Sequence, residues 1–287
     1  MAATRLDTWG STASNIRPRF PLPYDLLGDP STLPRPAPDS LLSTQLQAWQ
    51  RAFPSRTEVC QVLEDLSAVL DYTDSEAKHR GFAGRNPGTG GTPMAPEADN
   101  KGFPDWDSLV REWLLPIITE AQLLLPTEPN PTADQAVDHQ MQECLRHTII
   151  LAVSAAVRRF GFVMKGIELR VTSVKALLAP TLSIWKALGL EPMLEWVLLT
   201  AGIECTSYPE EQEWFAGQLA ARLEETDGSY AAVETAMLRP VQGFMNLEHV
   251  LAAESFVRLV DLVQAIVTRK AVLRYPVSTP VPWSCHC

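Results

Sequence analysis

Apolar residues recur along most of this chain at spacings of three and four, the period of a helix with one face turned inward. The last such stretch is the clearest. Over Leu247–Lys270, Ala252, Ala253, Phe256, Leu259, Val260, Val263, Ile266 and Val267 form one stripe, and Glu254 and Arg258 stand four apart on the opposite side. Start signals mark other helices. Ser55-x-x-Glu58 has the form of a capping box and predicts a helix over Thr57–Asp71. Thr132-x-x-Gln135 opens a long helix, Ala133–Arg159, whose middle (TIILAVSAAV) is apolar nearly all round and therefore buried on most sides. Ser207-x-x-Glu210 starts a third, EEQEWFAGQLAARLEE.

Proline and single caps set the remaining bounds. Asp105 is placed to cap WDSLVREWLLPIITEAQLLL, in which Trp106, Leu109, Trp113 and Ile117 share a face and Pro116 introduces a kink. Ile167–Leu188 breaks near Pro180, and Pro192 suits the first turn of a helix over Pro192–Ile203. Ser229 caps Tyr230–Arg239, which Pro240 ends. No run of alternating apolar and polar residues reads as a strand, and no repeat of fixed period occurs. The fold class expected is all-α, an irregular multi-helix bundle.

Two stretches break the pattern. Residues 1–40 carry seven prolines and read as a loosely ordered arm. Residues 81–104 are rich in glycine, proline and small polar residues, with little to bury, and read as a flexible linker. Between them, 41–80 is a helical segment expected to pack on the main domain, 105–272, with 273–287 as a tail.

Composition narrows the function. At 287 residues and 46% apolar content the chain can bury a sizeable core. A net charge of -10 works against direct contact with nucleic acid, whose backbone is held by clustered lysine and arginine. The N-terminal residues lack the apolar run of a secretory signal, and the charge-free apolar stretches are about half the roughly 20 residues a membrane-spanning helix requires, so no membrane partner is expected. Five cysteines, odd in number and mostly far apart, do not form a secreted disulfide framework.

Candidate chemistry is sparse. His139, Glu143 and His147 recur every four residues on one helix, with Cys144 beside them. The two histidines are about 12 Å apart along the axis, too far to share one ion, so a polar helix face is the preferred reading. Cys285-His286-Cys287 offers metal-ligand types in a Pro-rich tail and reads as a frayed terminus. Gly88-Thr89-Gly90-Gly91 lacks the Gly-Lys-Ser/Thr of a phosphate loop. No nucleophile elbow or His-Glu-x-x-His helix is present. The expectation is a protein that is not an enzyme, with no cofactor, no catalytic residue and no metal. The eight tryptophans could line a ligand pocket, although core packing is the commoner use.

One region carries a resemblance. Leu188–Leu219 contains Leu194, Trp196, Leu198, Leu199 and Gly202 in one helix, then Trp214-Phe215 after a charged turn. This is similar to the C-terminal regulatory domain of fungal binuclear zinc-cluster transcription factors, in which a Leu-x-Trp-x-Leu-x-x-Gly-Gly helix precedes a Trp-Phe segment. Ala201 stands where a paired glycine is common. Cys144–Phe160 and Ser229–Phe244 resemble the flanking helices of that domain, so the likeness spans about residues 105–270. It implies Leu194, Trp196, Leu198, Gly202, Trp214 and Phe215 as core anchors, Gly202 permitting either close helix contact or a helix end. The six-cysteine zinc cluster with which that family reads DNA is not in this sequence. The resemblance therefore implies only the regulatory half: a protein of the nucleus, or alternatively the cytoplasm, acting through protein partners, with any small effector undetermined. Such a chain would be a protein that lost its cluster or a product lacking its first exon. The alternative is a small-molecule-binding or metabolic helical protein with a Trp-lined pocket.

Overall fold

The computed structural model describes residue 14 and residues 30–79, 113–124, 136–158, 163–205, 207–223, 229–247 and 254–274. Ten α-helices account for most of these residues, and no strand occurs among them. They are α1 (Leu41–Ala52), α2 (Glu58–His79), α3 (Leu115–Leu123), α4 (Ala136–Arg158), α5 (Ile167–Leu178), α6 (Leu182–Ala187), α7 (Glu191–Glu204), α8 (Pro209–Ala220), α9 (Tyr230–Leu238) and α10 (Glu254–Arg274). The all-α class read from the periodicity is the class observed. Among the described residues, no helix is long and apolar enough to cross a membrane.

Two helices form the centre. Every residue of α4 from Met141 to Val157 is buried, and so is every residue of α7 from Met193 to Glu204. A helix apolar on most sides is stable only when neighbours surround it. Accordingly α2, α3 and α5 pack on α4, while α5, α6, α8 and α10 pack on α7, and the two central helices touch each other. α8 also packs along α10, and α9 closes against α10.

Several local signals act as the sequence implies. Ser229 Oγ accepts from the Ala232 N–H at 3.3 Å and starts α9, which stops before Pro240. Pro192 lies in the first turn of α7, and the chain breaks between α5 and α6 at Ala179–Thr181, around Pro180. Arg258 donates to Glu254 on the exposed side of α10. Where α6 ends, Gly189 adopts φ +71°, its N–H bonds the Lys186 carbonyl at 3.1 Å, and the Leu190 N–H reaches back to Trp185 at 2.9 Å. That pair of bonds terminates α6 and turns the chain directly into α7.

Other expectations are corrected. Ser55 does not cap α2: Phe53–Arg56 makes a turn closed by a 3.0 Å bond, and the helix starts after Thr57, whose carbonyl accepts from Cys60. Trp49 explains the shift, because its indole N–H donates to the Arg56 carbonyl at 2.9 Å and holds that turn against α1. α2 also runs eight residues past Asp71. Ser207 does not cap α8, whose N-cap is Tyr208 with no side-chain cap bond and Pro209 in the first turn. The part of the helix expected before Pro116 that spans 105–112 lies outside the described residues. Pro116 occupies the first turn of α3, just after the wider π-type turn at Trp113 and Leu114. Leu247 precedes α10 outside any helix. Residues 30–40, counted with the loose arm in the sequence reading, pack on α2: Pro30 is buried and Arg35 pairs with Asp65. The linker 81–104, the Asp105 cap, the Thr132-x-x-Gln135 box and Cys285-His286-Cys287 lie outside the described residues.

Candidate functional site

The six residues singled out by the resemblance converge in the hairpin of α7 and α8. Leu194, Trp196 and Leu198 are on α7 and buried, and the Trp196 ring packs on Phe244 with centroids 5.6 Å apart. Gly202 sits two residues before the end of α7, under α10. A Cβ there would lie 3.0 and 3.2 Å from the two terminal carbons of Leu259 and 3.4 Å from Phe215 Cβ. Of the two roles open to this glycine, close helix contact is the one it fills. On α8, Phe215 is fully buried and Trp214 is half-buried, their rings meeting edge to face at 4.9 Å. All six are packing residues, and none presents a reactive group.

The helix face marked by His139, Glu143 and His147 turns out differently. It is not a solvated polar face: Glu143, Arg146 and His147 are all buried, with only His139 partly open. Arg146 grips Glu143 through two parallel bonds, Nε to Oε1 at 2.9 Å and Nη2 to Oε2 at 2.7 Å, and its Nη1 reaches Gln122 Oε1 on α3 at 3.4 Å. The imidazole of His147 lies between two guanidiniums, with Arg146 Nη2 3.3 Å from Nε2 and Arg170 Nη1 of α5 3.1 Å from Nδ1. Desolvation holds its pKa well below the ordinary 6.5, and the two arginines add to that. Burial likewise lowers Arg170 to about 9, with Arg146 contributing and Glu143 opposing.

A neutral imidazole so placed is unsuited to binding a cation, since both ring nitrogens already face cationic donors. What the network can do is fix register. It joins Gln122 of α3, three residues of α4 and Arg170 of α5, and slipping α3 or α5 along α4 would break the Gln122 contact or separate the Arg170 guanidinium from His147. Gln122 and Arg170 went unremarked in the sequence reading. Their helices could be placed, but nothing in their spacing points to α4, and only the three-dimensional packing brings them there.

The described cysteines, Cys60, Cys144 and Cys205, are buried and quiescent. Burial pushes the Cys60 thiol up to about 12 and raises Cys144 and Cys205 strongly, so none is a thiolate near neutrality. Among the described residues no group of three or more His, Cys, Asp or Glu is arranged to hold a metal ion.

Among the described tryptophans, Trp49, Trp185 and Trp196 fill core positions, and Trp113 and Trp214 are half-buried. Trp49 and Trp185 are fully buried with ring centroids 6.2 Å apart, and the Trp185 N–H bonds the Thr181 hydroxyl at 3.2 Å. A shallow depression of about 360 Å³ between α8 and α10 is lined instead by Gln212, Arg258, Asp261 and Leu262. Compared with known proteins, the chain matches no family model, no curated sequence and no solved structure.

Proposed function

We propose that this chain is an interaction module similar to the regulatory domain of fungal zinc-cluster transcription factors, acting in transcriptional regulation through protein contacts. The observation that carries the reading is the hairpin of α7 and α8. Two sequence elements separated by a charged turn fold onto one another, with Gly202 against Phe215 and Leu259. Of the residues that the resemblance assigns as core anchors, Leu194, Trp196, Leu198, Gly202 and Phe215 are buried and Trp214 is half-buried. Among the described residues the chemistry is compatible with a scaffold: the buried Glu143 and Arg146 pair with one another, and the thiols of Cys60, Cys144 and Cys205 are un-ionised. The acidic balance of -10 favours reaching DNA through a partner over touching its phosphates directly.

Affinity capture of the full chain from the cell that makes it, with identification of the bound proteins, tests the reading. Transcription factors or components of the transcription machinery are the expected partners. Capture of metabolic enzymes alone, together with saturable binding of their metabolites, would replace it with the small-molecule alternative.

A further inference from the structure

Two glutamates of α7 are held asymmetrically. The Glu204 side chain is fully buried and that of Glu195 is 10% exposed, whereas their partners Arg158 and Arg222 are 39% and 26% exposed. Arg158 is the last residue of α4, and Arg222 lies just beyond α8. Each pair therefore fastens a helix end to the centre of the molecule, with Arg222 Nε 2.7 Å from Glu195 Oε1.

A guanidinium at the rim can swing into water and keep its charge. The carboxylate on α7 cannot follow, and left alone it would be an uncompensated buried charge, a state relieved by taking a proton from solvent. Release of the arginine and uptake of the proton are then one event. We propose that these two pairs form a proton-coupled clasp, in which protonation of Glu204 or Glu195 frees the C-terminal end of α4 or of α8.

The surrounding charges fit this coupling. Glu195 feels Arg222 and, one turn earlier on α7, Glu191, which opposes its ionisation. Glu204 feels Arg158 of α4, with the Ser154 hydroxyl on the same helix. Lys175 of α5 and Glu211 of α8, 4.0 Å apart, act on the neighbouring Cys205. Burial outweighs the arginines at both carboxyls, lifting Glu195 to about 7 and raising Glu204 in the same direction.

Amide hydrogen exchange on the full chain, expressed as protection factors so that intrinsic pH effects cancel, tests the clasp. Between about pH 8.5 and about pH 7, the segment ending at Arg222 should lose protection, by up to about tenfold per pH unit for one coupled proton, and the segment ending at Arg158 should lose protection in the same direction as pH falls, while mid-α2 keeps its own. Glu204→Gln and Glu195→Gln imitate the protonated carboxyls. Each should give low protection at both pH values in its own segment and leave the other segment responsive. Wild-type protection that does not change with pH in these segments would overturn the proposal, and so would a pH response that survives in the segment whose own glutamate has been replaced by glutamine. The wild-type comparison decides by itself if a variant fails to fold.

Discussion

Gly202 of α7 and Leu259 of α10 set how closely these two helices approach, because a Cβ at position 202 would stand 3.0 Å from the Leu259 side chain. Alanine would gain about 1 kcal/mol of helix propensity and lose about 1–3 kcal/mol to overpacking, since Leu259 is itself fully buried and has little room to give. Gly202→Ala should therefore lower stability by about 1 kcal/mol and Gly202→Val by more, measured by denaturant unfolding. In a Leu259→Val background the alanine cost should shrink or change sign. Equal costs in both backgrounds would show that the two residues do not constrain each other.

Trp196 is 1% exposed and packs at a tilt against Phe244. Truncation to alanine removes its contacts and leaves a cavity, so Trp196→Ala should cost about 3–5 kcal/mol, read from the unfolding midpoint at unchanged slope. A melting temperature equal to that of the wild type would remove Trp196 from the set of anchors.

The Glu143–Arg146 pair gives an asymmetric expectation. Arg146→Met leaves the Glu143 carboxylate without its two parallel bonds and should cost about 3–5 kcal/mol. Adding Glu143→Leu should recover part of that loss, because the stranded charge is then gone. A double variant less stable than Arg146→Met alone would mean that Glu143 has another role.

His147 fixes the sign of an acid effect. In the unfolded chain it takes a proton near its ordinary 6.5, while the folded state, held well below that, does not. Its contribution is complete above about pH 6.5 and is lost as pH falls towards the folded value, at up to about 1.4 kcal/mol per pH unit. Unfolding titrations at descending pH should therefore show Glu- and Asp-independent destabilisation that His147→Gln lacks. Parallel pH profiles for the two proteins would show that the imidazole is not kept neutral by the fold.

Much of the fold was legible because periodicity reports burial and proline and serine report helix ends. Ser229, Pro192 and Pro180 each act as read. Ser55 fails for a tertiary reason, the Trp49 indole holding the Arg56 carbonyl before α2, and Ser207 for a local one, Pro209 beginning α8 one residue after the Tyr208 cap. The central helices were visible as all-round apolar runs, but the same runs hid a polar seam. Glu143 and His147 look like surface residues by type, and only the approach of α3 and α5 shows that Gln122 and Arg170 enclose them. The α7–α8 hairpin was readable from Trp196, Gly202 and Trp214-Phe215, whereas the helix ends fastened by Glu195 and Glu204 were not. Two buried glutamates on an apolar helix carry no local signal of their partners.

A tethering assay tests most directly the proposed regulation through partners without direct contact with DNA. Fused whole to an unrelated DNA-binding module, the chain should change expression of a reporter carrying that module's site and leave a reporter without the site unaffected. A fusion that is folded and bound at the promoter, yet leaves expression at the level given by the module alone, would contradict the account.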